Sequence, residues 1–160
     1  MKELANKKLY VLDMDGTIYL GSHLFPETIP FLERVKAHGK RYIFFTNNSS
    51  RSPKTYVDRL NGMGIAATRE DVVTAGEVMI HFLKTHRPDK KVYLVGTPDL
   101  TESFHEAGIP LTEKDPDIVL LGFDTTLTYE KLDRACHYIR NGAEFLCTHE
   151  DLNCPTEYGF

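Results

Sequence analysis

Two aspartates separated by a single residue lie at the end of an apolar run near the N-terminus. The run Leu9–Asp13 is typical of a strand buried on both faces of a parallel sheet, and Met14-Asp15-Gly16-Thr17 follows it directly. Because side chains alternate along a strand, Asp13 and Asp15 can face the same side. Two carboxylates held close together repel, so they must share a proton or a cation. Magnesium suits such a pair, because it accepts one or two carboxylates together with water and a substrate phosphate.

A cluster of hydroxyl and amide side chains follows the next apolar run, Arg41–Thr46, and reads Thr46-Asn47-Asn48-Ser49-Ser50. A right-handed crossover would make the two strands neighbours, with both polar clusters at one edge of the sheet. Such donors can hold phosphate oxygens while one aspartate attacks phosphorus and the other moves protons. Each motif also has a purely structural explanation, since Asp-Gly favours a turn and Asn-Asn-Ser-Ser favours a loop and a helix cap. Both explanations stay open at this point.

The elements that would position these residues form two α/β blocks. In the first block, the spacing predicts a helix between the two strands that ends at His38-Gly39, a second helix after Ser52-Pro53, and a third strand at Asp71–Thr74. The second block adds predicted helices at Val78–Leu83, Leu100–Ala107 and Tyr129–Ile139, and predicted strands at Val92–Val95, Ile118–Leu121 and Phe145–Cys147. The polar stretch 86–91 is either a linker or an exposed turn.

The pairing of Asp13-x-Asp15-Gly16-Thr17 with Thr46-Asn47-Asn48 resembles the haloacid dehalogenase (HAD) superfamily. Thr-Asn-Asn-Ser followed by Arg51 resembles the branch of that superfamily that contains NagD and 4-nitrophenylphosphatase. Segments around Gly96, Gly122 and Thr148–Pro155 resemble the same branch, so that the likeness covers essentially the whole chain.

The resemblance implies a magnesium-dependent phosphatase that hydrolyses small phosphate monoesters, such as sugar, nucleotide or vitamin phosphates, through an aspartyl-phosphate. Asp13 would be the nucleophile and a Mg²⁺ ligand. Asp15 would be the general acid and base and would also bind the metal, through its backbone carbonyl. The phosphate-binding residues would be Gly16, Thr46, Asn47 and Asn48.

The resemblance also implies a fold: a Rossmann-like core, with a parallel sheet and helices on both faces, into which an α/β cap is inserted. The expected boundaries are residues 1–75 for the N-terminal part of the core, 76–155 for the cap and 156–160 for the return to the core. The loop that starts at Thr148 would select substrate through His149, Asp151 and Asn153. The family's later lysine and second acidic motif have no counterpart here, so we expect the chain to be the N-terminal part of a longer protein.

The amino-acid composition and charge indicate which classes of partner and which cellular location to expect. Of 160 residues, 41% are hydrophobic and 26% are charged, which is typical of a globular protein. The net charge is −4 with both signs interspersed, which disfavours nucleic acid and an anionic membrane. We therefore expect a small phosphorylated metabolite as the partner, leave a homo-oligomer open, and predict a cytoplasmic location because no signal peptide or membrane span is evident. Three cysteines without short spacing argue against structural zinc.

Two other functions compete with hydrolysis. A phosphotransferase would use the same aspartate nucleophile but pass the phosphoryl group to an acceptor hydroxyl instead of water. A non-catalytic module would bind or interact with phosphate esters through a retained but idle site. The presence of both Asp13 and Asp15 favours an enzyme.

Overall fold

The computed structural model describes residues 6–153 of the chain. They form two compact units, the first containing residues 6–46, 53–73 and 151–153 and the second residues 47–52 and 74–150. Both units are mixed α/β with parallel sheets, which confirms the predicted fold class. The assignment of these units as core and cap stays a prediction, and the expected return segment 156–160 lies outside the described residues.

The first unit is built around a three-stranded sheet of order β1-β4-β5. Its elements, in chain order, are β1 (Leu9–Leu12), β2 (Tyr19–Leu20), β3 (His23–Leu24), α1 (Thr28–Ala37), β4 (Arg41–Thr46), α2 (Pro53–Gly62), a 3₁₀ turn (Arg69–Asp71) and β5 (Val72–Thr74). β1 and β4 are parallel, with Leu12 opposite Phe44. Both helices pack on one face of this sheet, where Tyr42 and Phe44 of β4 are buried against Leu32 of α1 and Tyr56 of α2.

The second unit has a parallel sheet of order β6-β7-β8 with helices on both faces. Its elements are α3 (Ala75–His86), β6 (Val92–Val95), α4 (Pro98–Glu106), β7 (Ile118–Leu121), α5 (Tyr129–Arg140) and β8 (Glu144–Cys147). Leu83 of α3 and Phe104 of α4 share one core cluster with Ile118, whereas Ala135 of α5 packs on the other face with Val119. Adjacent residues of β7 therefore point to opposite cores, as a strand buried on both faces requires.

Capping explains why α3 begins three residues before the predicted Val78. The Thr74 hydroxyl accepts a hydrogen bond from the backbone N–H of Glu77 at 3.3 Å, and the Glu77 carboxylate accepts one from the backbone N–H of Thr74 at 3.4 Å. This reciprocal pair of hydrogen bonds satisfies two backbone N–H groups that have no partner within the first turn of a helix. The helix therefore begins at Ala75. The stretch 86–91 joins α3 to β6 inside the second unit and is therefore an exposed turn rather than a linker.

None of the helices between residues 6 and 153 has the length and apolar character needed to cross a bilayer. The predicted cytoplasmic location and the oligomeric state stay open. Cys136 and Cys147 are free thiols, and Cys154 lies outside the described residues.

Candidate active site

Asp13 and Asp15 lie in a tight loop that begins where β1 ends. Met14, between them, is fully buried in the core of the first unit, whereas Asp13 is exposed and Asp15 half-buried. The strand alternation thus continues past Leu12, with buried Met14 between exposed Asp13 and half-buried Asp15, although the Asp15 Oδ2 atom itself is buried. The hydroxyl of Thr17 donates to Asp13 Oδ2 at 3.4 Å, a long contact.

Backbone hydrogen bonds hold this loop in shape. The carbonyl of Met14 accepts from the N–H of Ile18 at 2.9 Å, and the N–H of Gly16 donates to the carbonyl of Tyr19 at 2.8 Å. Gly16 has a φ of 82°, in the left-handed region that side chains disfavour. The glycine of the Asp-Gly pair is therefore needed for the turn itself, which leaves its predicted role in phosphate binding a prediction.

A short hairpin that the sequence analysis missed, β2–β3, supports the same loop. Tyr19 of β2 is fully buried, and the guanidinium of Arg59 lies 4.3 Å from its ring centroid. Arg59 also donates to the backbone carbonyl of Gly21, which forms the hairpin turn with Ser22. The Gly-Ser pair between Tyr19-Leu20 and His23-Leu24 was the available signal for this hairpin.

The structure places Thr46 at the same edge of the sheet as the aspartates. Thr46 is the last residue of β4 and is almost fully buried, and β4 is paired in parallel with β1, whose end Asp13 follows. Asp13, Asp15, Gly16 and Thr46 thus all lie at the carboxyl edge of the first sheet, where open α/β sheets bind ligands.

Asn47 and Asn48 follow Thr46 in the chain but belong to the second unit. The side-chain oxygen of Asn48 accepts hydrogen bonds from the backbone N–H of Ser50 at 3.0 Å and from its hydroxyl at 2.7 Å. That oxygen therefore stabilises an Asx-type turn. This agrees with the structural explanation of the Asn-Asn-Ser-Ser motif, in which it forms a loop. Asn47 is exposed.

The three predicted substrate-selecting residues fall at the end of the described chain. His149 is half-buried in the second unit, and its ring meets the Phe123 ring edge to face with 6.1 Å between centroids. Asp151 and Asn153 are exposed and group with the first unit.

The serines of the 47–52 segment, which the sequence predicts only as part of a polar cluster and before a helix, hold this segment to the carboxyl edge of the second sheet. The hydroxyl of Thr97, which follows β6, donates to the carbonyl of Ser50 at 2.7 Å. The backbone N–H of Ser52 donates to Asp99 Oδ2 at 2.8 Å. Buried Ser49 contacts the residues that follow β7 and β8. No local signal marks these contacts, because their partners lie far away in sequence.

Lys131 has a structural role in the second unit. Its ammonium donates to Asp124 Oδ2 at 2.7 Å and to the carbonyl of Gly96 at 3.0 Å. Burial opposes ionisation of Asp124, but the hydrogen bonds from Lys131 and Thr126 outweigh burial and leave the pKa of Asp124 below its ordinary value. Lys131 thus ties the end of β6 to the loop before α5.

The chemistry of the oxygen donors at the end of β1 fits a magnesium ion. Magnesium binds through one or two carboxylates and completes its octahedron with water and substrate phosphate, and Asp13 with the backbone carbonyl of Asp15 offers that kind of partial set. Within residues 6–153, no group of three or more His, Cys, Asp or Glu side chains is placed to hold a metal ion.

Comparison with known proteins agrees with this geometry. The chain is 38% identical to a 5′-nucleotidase of Bacillus subtilis over 152 residues, which are 95% of this chain and 59% of that protein. The crystal structure of a 4-nitrophenylphosphatase from Thermotoga maritima, 43% identical, superposes with a TM-score of 0.92 over 98% of this chain and 60% of the other. A glycerol phosphate phosphatase from Mycobacterium tuberculosis, solved in complex with magnesium, is 33% identical with a TM-score of 0.83, covering 94% of this chain and 46% of the other.

This chain therefore spans about 60% of the length of the first two of these relatives. The family model described as haloacid dehalogenase-like hydrolase matches residues 10–110, which include both aspartates and the whole Thr46–Ser50 cluster. These findings confirm the resemblance noted from the sequence. The chain belongs to the haloacid dehalogenase-like hydrolase family.

Proposed function

We propose that the protein is a magnesium-dependent phosphatase that hydrolyses small phosphate monoesters, such as sugar, nucleotide or vitamin phosphates, through an aspartyl-phosphate. The observation that carries the proposal is the placement of Asp13 and Asp15 on either side of the buried Met14, at the sheet edge where Thr46 also ends its strand. The phosphatase names of the relatives support the reaction class.

In the proposed reaction, a carboxylate oxygen of Asp13 attacks phosphorus while the bond from phosphorus to the ester oxygen breaks. Asp15 gives its proton to the departing alkoxide. Water then attacks the aspartyl-phosphate, its proton passes to Asp15, and the phosphorus bond to Asp13 breaks to release inorganic phosphate. The exposure of Asp13 suits the first step, because the attacking oxygen must meet the substrate.

Asp13 and the backbone carbonyl of Asp15 would hold the magnesium ion. When bound, the ion would offset the negative charge of the phosphoryl group, which otherwise repels the attacking carboxylate. The Thr46 hydroxyl and the Asn47 amide would hold the phosphoryl oxygens.

We also propose that the second unit is the cap that selects among substrates. His149 of this unit, together with Asp151 and Asn153, which group with the first unit, would contact the leaving group. All three side chains are polar and lie within five consecutive positions after β8. A loop of this kind can distinguish leaving groups by hydrogen bonding without taking part in the phosphoryl transfer.

The test is hydrolysis of 4-nitrophenyl phosphate with Mg²⁺ by the complete protein and by three variants. Asp13→Asn should abolish turnover, because an amide can neither attack phosphorus nor serve as a charged metal ligand. Asp15→Asn should lower kcat by roughly 10²–10⁴-fold, the usual contribution of a positioned general acid and base. Asp58→Asn, which changes an exposed aspartate of α2, is the matched control and should keep wild-type rates.

Rapid acid quenching with labelled substrate gives a second readout. Wild type should carry acid-stable phosphate on the protein during turnover, and Asp13→Asn should carry none. Turnover by Asp13→Asn within tenfold of wild type would refute the assignment of the nucleophile.

A further inference from the structure

The hydroxyl of Ser49 is fully buried in the second unit and bridges two chain segments. The backbone N–H of Phe123 donates to Ser49 Oγ at 2.8 Å, and Ser49 Oγ lies 2.9 Å from Thr148 Oγ1. A serine hydroxyl can accept from one group and exchange a hydrogen bond with another hydroxyl at the same time, so both contacts can form together. Ser49 is therefore a junction between the 47–52 segment and the ends of two strands.

Both partners of Ser49 adjoin His149. Thr148 precedes His149 directly, and the ring of Phe123 packs against the His149 ring edge to face. The strand ends carrying these partners are also tied by their own backbones, since the N–H of Thr148 donates to the carbonyl of Leu121 at 3.0 Å. The Ser49 side chain thus links the 47–52 segment by hydrogen bonds to Phe123 and Thr148, which both adjoin His149.

The rest of the segment stays anchored without Ser49. The Ser50 carbonyl and the Ser52 N–H keep their bonds to Thr97 and Asp99, at 2.7 Å and 2.8 Å. Loss of the Ser49 hydroxyl should therefore disturb the neighbours of His149 without releasing the whole segment, which makes its removal informative.

We propose that Ser49 is a positioning residue that sets His149 relative to Asn47 and thereby tunes which leaving groups the site accepts. This proposal rests on the proposed function, in which Asn47 binds the phosphoryl group and His149 contacts the leaving group. For a substrate that contacts both Asn47 and His149, kcat/KM depends on the distance between these two residues. For a substrate with an intrinsically good leaving group, such as 4-nitrophenyl phosphate, kcat/KM depends less on that distance.

The first experiment compares Ser49→Ala with Ser103→Ala in the complete protein. The control removes a serine hydroxyl of α4 that donates to the backbone carbonyl of Asp99 at 3.0 Å, whereas the bond from Ser52 uses the Asp99 carboxylate. For Ser49→Ala, the ratio of kcat/KM for a sugar or nucleoside monophosphate to that for 4-nitrophenyl phosphate should change by about fivefold or more, the lower end of ordinary coupling between sites. Ser103→Ala should leave the ratio unchanged. Equal ratios in wild type and Ser49→Ala would overturn the proposal.

A double-mutant cycle with Thr148→Val tests whether the Ser49–Thr148 bond is the cause. Thr148→Val removes the partner hydroxyl and keeps the side-chain shape. Both single changes break the Ser49–Thr148 bond, and Thr148→Val leaves the bond from the Phe123 N–H to Ser49 Oγ in place. Ser49→Ala should therefore alter the substrate ratio by a smaller factor on the Thr148→Val background than in the wild type. Fully multiplicative effects would show that the two residues act independently and would contradict the inference.

A readout without turnover separates this proposal from the proposed function. The ring signals of His149 in nuclear magnetic resonance spectra should shift in Ser49→Ala and stay in place in Ser103→Ala. If the complete protein hydrolyses no phosphate ester, the proposed function fails, and the His149 signals still report on positioning. Unchanged His149 signals in Ser49→Ala would overturn the positioning role whether or not the protein is active.

Discussion

Gly122, the residue after β7, leaves no room for a side chain. It is buried, and a Cβ placed on it would lie 2.6 Å from Leu100 Cδ2, 3.4 Å from Ser49 Oγ and 3.5 Å from the carbonyl of Val95. Leu100 is itself only 1% exposed, so its methyl group has little space into which it can retreat. We therefore expect Gly122→Ala to lower the free energy of unfolding of the second unit by about 1–3 kcal/mol, the usual cost of overpacking a core.

The same geometry predicts how a second substitution would change that cost. Leu100→Ala alone should destabilise by about 2–5 kcal/mol, because it leaves a cavity in the core. On the Leu100→Ala background, however, the atom that meets the new Cβ is gone, so adding Gly122→Ala should cost less than about 0.5 kcal/mol. The two changes should thus be strongly non-additive.

Urea unfolding followed through the amide signals of β7 measures the stability of the second unit, and the amide signals of β4 measure that of the first unit, which contains α2. Gly62→Ala, at the end of α2, is the matched control, since its Cβ would meet nothing within 4 Å and its φ lies outside the left-handed region. It should change stability by no more than about 1 kcal/mol, and in the stabilising direction, because alanine favours a helix. If Gly122→Ala lowers the free energy of unfolding equally with Leu100 and with Ala at position 100, the steric reasoning is refuted. It is also refuted if Gly122→Ala does not lower the free energy of unfolding at all.

The remaining predictions concern charge, metal and substrate. Lys131→Met should cost about 1–3 kcal/mol at pH 7, because it leaves the Asp124 carboxylate without its cation. Because the pKa of Asp124 is lowered in the folded state, its ionised carboxylate stabilises the fold above the unfolded-state pKa of about 3.9, and this stabilisation is lost as the pH falls through the folded-state pKa. In urea unfolding, the difference in free energy of unfolding between wild type and Lys131→Met should therefore shrink below about pH 4. EDTA should stop 4-nitrophenyl phosphate hydrolysis by the complete protein and added Mg²⁺ should restore it, whereas hydrolysis that survives full chelation would contradict the metal requirement. Asp151→Ala should reorder a panel of sugar and nucleotide phosphates while changing 4-nitrophenyl phosphate hydrolysis far less, and an unchanged order would remove Asp151 from substrate selection.

Much of the secondary structure was predictable because its signals are local. β4, β6 and β7 have the bounds predicted from their apolar runs. An apolar run is visible without knowledge of its neighbours, whether the strand is largely buried on both faces, as in β6 and β7, or exposed on one face, as in β4, where Phe45 is 40% exposed. The hairpin of β2 and β3 escaped because two residues per strand are too few to show a period.

The residues proposed for chemistry were also visible in the sequence. Asp13 and Asp15 are close in the sequence and are held by a tight turn at the end of a strand, and Thr46 is the last residue of the neighbouring strand. Their roles stay a proposal, but their shared place at one sheet edge required only a crossover between consecutive parallel strands.

Ser49 shows what only the tertiary structure decided. In the sequence it belongs to a polar run that suits a solvent-exposed loop, yet it is fully buried and bonded to residues 74 and 99 positions away. Alternation and composition predict which side chains leave water, but they do not say which distant group a buried hydroxyl will meet. That pairing depends on how the ends of β7 and β8 come together, because a buried hydroxyl must find its hydrogen-bond partners wherever the folded chain brings them.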